Sequence, residues 1–238
     1  MGLYRDQGVV LRTYKLGEAD RIVSFMTAGH GKVRAVAKGV RKTKSRFGGR
    51  LEPLTNVSVL FYEGRELDIV SQAETIDHFR AIRDDLDRLG RATSLLEAVD
   101  HVAQEREPNP RMYQMLVGAL RSLAANDAPL LVASFFWKLL SVEGAHPLLD
   151  QCASCGATDD LVAFDMTQGG VLCRSCRQGH AVSAEALALI RRILGGGLAD
   201  VLNEPPSPVT VEVDHLANRA MESHLERRLK TLNVLDRA

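Results

Sequence analysis

Four cysteines fall within one 25-residue window of this 238-residue sequence, as Cys152-Ala-Ser-Cys155 and Cys173-Arg-Ser-Cys176 with 17 residues between the pairs. Two thiolates three residues apart on a tight turn can reach one ion at about 2.3 Å, and two such turns complete a tetrahedron. The spacing lies in the zinc range. Gly156 follows the first pair, where a knuckle commonly needs positive φ. A closed four-sulfur site leaves no position for water, so the expected centre is one structural zinc held by Cys152, Cys155, Cys173 and Cys176. Arg174 and Arg177 stand beside the second pair and can offset its excess negative charge. The competing chemistries are a redox dithiol, for which one pair would suffice, and an iron–sulfur cluster. A zinc deaminase is excluded, because Gln151 precedes Cys152 and no H-x-E precedes the cysteines. A secreted disulfide scaffold would spread its cysteines along the chain, whereas tight clustering fits a reducing compartment.

The second feature able to do chemistry is a charge run. Between Arg21 and Leu51 stand nine basic side chains and no acidic one: Arg21, Lys32, Arg34, Lys38, Arg41, Lys42, Lys44, Arg46 and Arg50. The formal net charge of the whole chain is zero, so the run is a local device. Residues 1–80 hold 14 Lys or Arg against 9 Asp or Glu, and residues 81–238 hold 16 against 21. A solvated face normally mixes both signs. Concentrated cations of this kind hold a polyanion, most commonly nucleic acid. Phe47 sits inside the run, either to stack on an unpaired base or to anchor the loop on the protein. Tyr14 and Tyr62 are further stacking candidates.

Catalytic motifs are missing. Gly29-His30-Gly31-Lys32 is too short for a phosphate loop and lacks its hydroxyl, no G-x-S-x-G elbow occurs, and the seven histidines are scattered. Glu18, Asp20 and Glu52 are too separated to suggest a two-metal nuclease, and Glu18 and Asp20 are placed to orient the basic loop. The expectation is a binding protein, not an enzyme. No apolar stretch is long enough to span a membrane and no signal-peptide pattern is present, so a cytoplasmic location is expected.

The elements that must position these residues follow from periodicity. Residues 7–73 read as five short strands: one around Val9–Thr13, then Ile22–Met26, Lys32–Lys38, Val57–Tyr62 and Leu67–Ser71. In the third, Lys32, Arg34 and Lys38 share one face while Val33, Ala35 and Ala37 share the other. Five short strands with Gly-containing turns suggest a small barrel, with an OB-fold the natural candidate and an SH3-like barrel the neighbour. After residue 80 the period turns helical. Helices are expected over Leu86–Val102, Met112–Leu123 and Leu130–Val142, the last apolar nearly all round and therefore central. Another covers Leu187–Leu194 with Ser183 as N-cap, and the last runs from Leu216 to Leu232. Leu161–Asp165 and Gly170–Cys173 form a hairpin between the cysteine pairs. The fold class is α+β in two domains. Residues 1–80 form a five-stranded OB-fold nucleic-acid-binding domain. Residues 81–238 form an all-helical domain with an inserted four-cysteine zinc hairpin at about 150–180.

Taken in order, several segments resemble a known family. Gly17-Glu18-Ala19-Asp20-Arg21-Ile22-Val23, Gly31-Lys32-Val33, Val36-Ala37-Lys38-Gly39, Lys44-Ser45-Arg46-Phe47-Gly48 and Leu51-Glu52-Pro53 are similar to signatures of the bacterial RecO recombination-mediator family. The paired cysteines resemble its zinc-bearing branch, and His224-Leu225 with Arg228-Leu229-Lys230 its C-terminal helix. The resemblance implies DNA repair and homologous recombination: binding of single- and double-stranded DNA, annealing of complementary strands, and help in loading RecA on protein-coated single strands. It also implies RecR and the acidic tail of single-stranded DNA-binding protein as partners, and a nucleoid-associated place in the cytoplasm. The rival expectation is a zinc-ribbon and OB accessory subunit of a replication or transcription complex, which would share the binding chemistry without annealing.

Overall fold

The structure, a computed structural model, describes residues 2–230. They form two compact units, one ending at Ala125 and the other running from Asn126 to Lys230.

The first unit begins with β1 (Leu3–Leu16), β2 (Asp20–Thr27), β3 (Gly31–Ala37), β4 (Asn56–Tyr62) and β5 (Asp68–Asp77). They close into a barrel in the order β1-β2-β3-β5-β4, with β3 and β5 parallel and every other pair antiparallel. This is the OB arrangement expected from the strand count, and β1 and β5 are both longer than the apolar pattern suggests. The charged residues Arg5 and Asp6 break that pattern in β1, yet main-chain pairing to β4 runs from Leu3 to Val9. A bulge between Val10 and Arg12 then lets β1 turn from β4 toward β2. The inward parity read for β3 holds: Val33, Ala35 and Ala37 are buried with Val10, Val23, Phe25, Val57, Val59, Phe61 and Val70 in the barrel interior, but the strand ends at Ala37 and leaves Lys38 in the turn that follows.

The parallel pairing of β3 with β5 covers only Ala35–Asp68 and Val36–Ile69. Beyond it the seam is filled by a segment from much later in the chain. The amide of Lys32 donates to the carbonyl of Gln104 at 3.3 Å, and the amide of Arg106 donates to the carbonyl of Lys32 at 2.9 Å. Arg106 also reaches the fully buried Asp68 at 2.8 Å. Asp68 accepts as well from the Tyr4 hydroxyl at 2.5 Å and the Gly64 amide at 2.9 Å, so the buried carboxylate is fully answered. Burial and this bond raise the Tyr4 hydroxyl far above its ordinary value.

A short α1 (Arg80–Arg83) leads to α2 (Leu86–Val102), capped by Asp85, and then to α3 (Pro110–Ala125), capped by Asn109. Both longer helices lie against the barrel, so the compact unit extends past the end of the strands at Asp77. Leu86, counted into the apolar stripe from its spacing, is instead 80% exposed, because it is the first residue of α2 and lies before the helix meets its neighbours.

The second unit is helical around a small sheet. Its helices are α4 (Leu131–Val142), α5 (Ala184–Leu194), α6 (Leu198–Val201) and α7 (Pro208–His224). Its strands are β6 (Leu161–Asp165), β7 (Gly170–Cys173) and β8 (His180–Ala181), ordered β7-β6-β8. α4 is buried nearly all round, with Phe136 and Trp137 fully enclosed, as its composition requires. Ser183 caps α5 through the Ala186 amide at 3.1 Å, also as expected. α7 opens on a capping box between Ser207 and Thr210. It ends at His224, short of the expected Leu232, which lies outside the described residues. The helical spacing of Leu225 and Leu229 misleads here. Glu226 has positive φ, and Leu229 is buried from a non-helical segment whose amide donates to Glu222 Oε1 at 3.0 Å. No helix among the described residues is long and apolar enough to cross a membrane.

Gly31 marks the tightest point of the barrel seam. Its φ is +66°, and a Cβ there would lie 1.8 Å from the Glu107 carbonyl oxygen. Gly31→Ala is expected to cost at least ~2 kcal/mol, from overpacking and left-handed strain together, measured as a lowered urea midpoint. Gly17→Ala gives the comparison, since it shares the positive φ but has nothing within 4 Å.

Candidate nucleic-acid interface and metal centre

The structure separates the expected basic residues into two groups. The outward face of β3 is not open. The Lys32 ammonium donates to the Asp100 carbonyl at 2.7 Å, and Arg34 pairs with Glu105 at 3.2 Å. The Asp100 carboxylate accepts from the Ser24 hydroxyl at 3.0 Å and lies 3.5 Å from Arg12. The end of α2 and the segment after it therefore lie over this face, and a main-chain carbonyl and two carboxylates answer its cations. Nothing local to β3 signals this, because the answering residues lie about 70 positions later.

The segment between β3 and β4 is different. Its start is held to the β1–β2 turn: the Gly39 amide donates to Asp20 Oδ1 at 2.7 Å, and the Arg41 amide to the Ala19 carbonyl at 2.9 Å. Arg41 Nη1 donates to the carbonyls of Glu18 at 2.9 Å and Gly17 at 3.3 Å. The orienting role read for Asp20 thus has a concrete form. Further along, Arg50 Nη1 donates to the carbonyls of Arg46 and Phe47 at 2.9 and 3.3 Å. At the far end Arg21 closes on Glu52 at 2.7 Å. Phe47 and the following Leu51 are both 1% exposed within the barrel interior. Of the two roles open to Phe47, the structure gives the anchor. The Arg46 guanidinium lies 4.8 Å from the centre of its ring.

What remains is a compact cationic surface. Lys38, Arg41, Lys42, Lys44, Arg46 and Arg50 are all exposed. The side chains of Lys38, Lys42, Lys44 and Arg46 make no hydrogen bond or ion pair to another described residue. Such charges gain most from an external anion, because no internal acceptor must be given up. Tyr14 and Tyr62 are about 40% exposed on the strands, and Arg12 lies 5.5 Å from the Tyr14 ring centre.

The four cysteines meet as their spacing requires. Their sulfurs all lie within 4.8 Å of one another, and Cys155 and Cys173 Sγ are 3.7 Å apart. Sulfurs at ~2.3 Å from one tetrahedral ion stand about 3.8 Å apart, so the four thiols are close enough together to hold one metal ion. Local hydrogen bonds shape both turns. Gly156, with φ +77°, donates to the Cys152 carbonyl at 2.9 Å, and the Cys152 amide donates to the Ala157 carbonyl at 2.7 Å. The Arg174 amide donates to the Asp160 carbonyl at 3.0 Å. Hydrogen bonding from the Cys173 backbone lowers the Cys152 thiol to about 6, whereas Cys176, despite a hydrogen bond from Ser154, is raised to about 11 by hydrogen bonding with Cys155 and Cys173. Arg174 is drawn toward Asp160 at 3.7 Å, while Arg177 stays exposed beside the second turn. The centre is tied to the helices by Phe164 of β6, whose ring meets Trp137 of α4 edge-on at 5.6 Å.

These features define a class: an OB-barrel protein with a clamped basic surface loop, continued by a helical unit built around a four-thiol centre. Residues 1–79 match the family model for the N-terminal part of recombination protein O, and residues 83–233 match that for its C-terminal part. The chain belongs to the RecO family. It is 43% identical over 244 aligned positions to the DNA repair protein RecO of Nocardioides sp. (strain ATCC BAA-499 / JS614), covering 99% of this chain and all of that one. It is also 43% identical to the DNA repair protein RecO of Frankia casuarinae, over the full length of both.

The buried position of Phe47 has a measurable consequence. Phe47→Ala is expected to lower stability by roughly 3–5 kcal/mol in urea denaturation, as for a core aromatic. A surface ring used only to stack on bases would leave the urea midpoint near that of the wild type.

Proposed function

We propose that this chain is a non-enzymatic DNA-repair and recombination mediator, which binds single- and double-stranded DNA and anneals complementary strands. It would assist RecA loading on protein-coated single strands. The observation that carries this reading is the clamped loop with four exposed cations that make no hydrogen bond or ion pair among the described residues. Family membership and the two relatives, each a DNA repair protein RecO, support it. Annealing requires two polyanions to be brought together without reading their sequence. Phosphate contacts neutralise the mutual repulsion and ignore base identity. RecR, the acidic tail of single-stranded DNA-binding protein and a nucleoid-associated cytoplasmic location belong to the same proposal.

For the four-thiol centre we propose one zinc ion with a structural role. Zinc bound there would supply folding energy by joining the two turns, since metal binding and local folding are coupled. Cys152, Cys155, Cys173 and Cys176 would hold it, and the hairpin of β6 and β7 would keep its place against α4.

Four to six loop cations meeting a single strand should give a slope of log affinity against log salt of about −3 to −4. The variant Lys38→Ala/Lys42→Ala/Lys44→Ala/Arg46→Ala should lose most single-strand affinity, and annealing with it, while keeping the wild-type melting curve. A flat salt dependence, or unchanged affinity in this variant, would place the DNA site elsewhere. Elemental analysis of the purified protein should return close to one zinc per chain. Cys155→Ser should lower that content and destabilise the second unit, and a full zinc complement in that variant would contradict the assignment.

A further inference from the structure

We infer that the clamped loop recognises a linear chain of phosphates as such, blind to base and to sugar, and that long-chain inorganic polyphosphate is therefore a ligand of the same site. The inference rests on the loop being the DNA-binding surface, and it specifies the chemistry that surface responds to.

From Lys38 to Arg50 the sequence contains no Asn, Gln, Asp or Glu, so the side chains that read adenine or cytosine edges are missing. Arginine forks read guanine, but each fork in the loop is at least partly turned to the protein. Arg41 and Arg50 donate to main-chain carbonyls, and Arg46 lies over the Phe47 ring. The Ser45 hydroxyl accepts from the Phe47 amide at 3.2 Å. The only aromatic ring in the loop is buried, so no stacking platform faces outward. What is left over for a ligand is three lysine ammonium groups, at Lys38, Lys42 and Lys44, the outer side of Arg46 and the exposed Thr43, whose single hydroxyl serves any base alike. An ammonium is a compact point charge with no planar preference. It attracts phosphate oxygens and carries no information about what the phosphate is attached to.

The neighbouring barrel face adds little base reading beyond the half-exposed Tyr14 ring, which Arg12 approaches at 5.5 Å. Oligonucleotides commonly lie across such a face in OB-folds. Here Ser24 and Met26 are buried, and the cations Arg12, Lys32 and Arg34 are engaged by Asp100 and Glu105. Inorganic polyphosphate has a higher charge density than a nucleic-acid strand and bears only phosphate oxygens. A site built from free ammonium groups should hold it at least as well, per phosphate, as it holds DNA.

Competition against a fluorescent single-stranded oligonucleotide, read by anisotropy at low salt, tests this with the intact protein. The competitors are unlabelled DNA, an abasic strand of equal length, RNA of the same sequence and long-chain inorganic polyphosphate. The expected result is that the abasic strand and RNA compete within about threefold of DNA, less than the loss of one stacked base would produce. Polyphosphate should displace DNA at equal or lower phosphate concentration. The Lys38→Ala/Lys42→Ala/Lys44→Ala/Arg46→Ala variant should lose DNA and polyphosphate binding together. An abasic strand weaker by about tenfold or more would overturn the inference while leaving DNA binding intact. So would polyphosphate that fails to compete in large excess, or one still bound by the variant. Wild-type protein that binds polyphosphate but no DNA would instead remove the DNA-mediator reading and leave the loop chemistry standing.

Discussion

A loop holding six exposed cations repels itself, and it keeps one shape only if something stronger holds it down. In this protein that hold is the insertion of Phe47 and Leu51 into the barrel interior. Each side chain removes a large apolar area from water, on the order of 2 kcal/mol or more apiece. Surface repulsion between charges in water is smaller and is screened by salt. The hydrophobic anchor therefore wins, and it wins at any ionic strength at which the barrel is folded. Around it, polar clamps fix the ends: Asp20 and the carbonyls of Gly17 and Glu18 at one side, Arg21 with Glu52 at the other. The charged surface is presented by the core, not merely attached to it.

Charge alone does not identify which cations serve a ligand. Nine basic residues form one uninterrupted run in the sequence, yet the fold spends several on its own cohesion. Arg21 is a clamp, Arg34 is paired, Lys32 holds the end of α2, and Arg41 and Arg50 bind carbonyls. The remaining four are consecutive in neither sequence nor role, and they are distinguished only by lacking an acceptor. Where a cation has an internal partner, an incoming phosphate must compete with it; where it has none, the gain is undiminished.

Local patterns made much of this legible. Strand parity located the inward face of β3, the spacing of the cysteine pairs located the thiol centre, and all-round hydrophobicity located α4 as the middle of its unit. The features that escaped share one cause, which is that their partners are distant in sequence. The covering of Lys32 and Arg34 depends on Asp100 and Glu105. The end of α7 depends on Glu222 turning back to the Leu229 amide. The role of Phe47 was open for the same reason, since an aromatic among cations looks alike whether its pocket is a base or a barrel. Periodicity reports on one element at a time and carries no record of what that element will meet.

The barrel seam has an implication for how this chain comes to be folded. The barrel strands are all complete by Asp77, and the family models also divide near there. Yet the last gap beside β3 is filled by Gln104 and Arg106, and the carboxylate of Asp68 has no guanidinium until Arg106 arrives. During synthesis the strands would emerge well before the residues that finish their enclosure. A nascent chain stopped between the two would hold a barrel with an unzipped edge and an unmatched interior charge. That is a state prone to sticking to its neighbours. The family models thus divide at a different place from the compact units of the fold, the first of which extends into the helices.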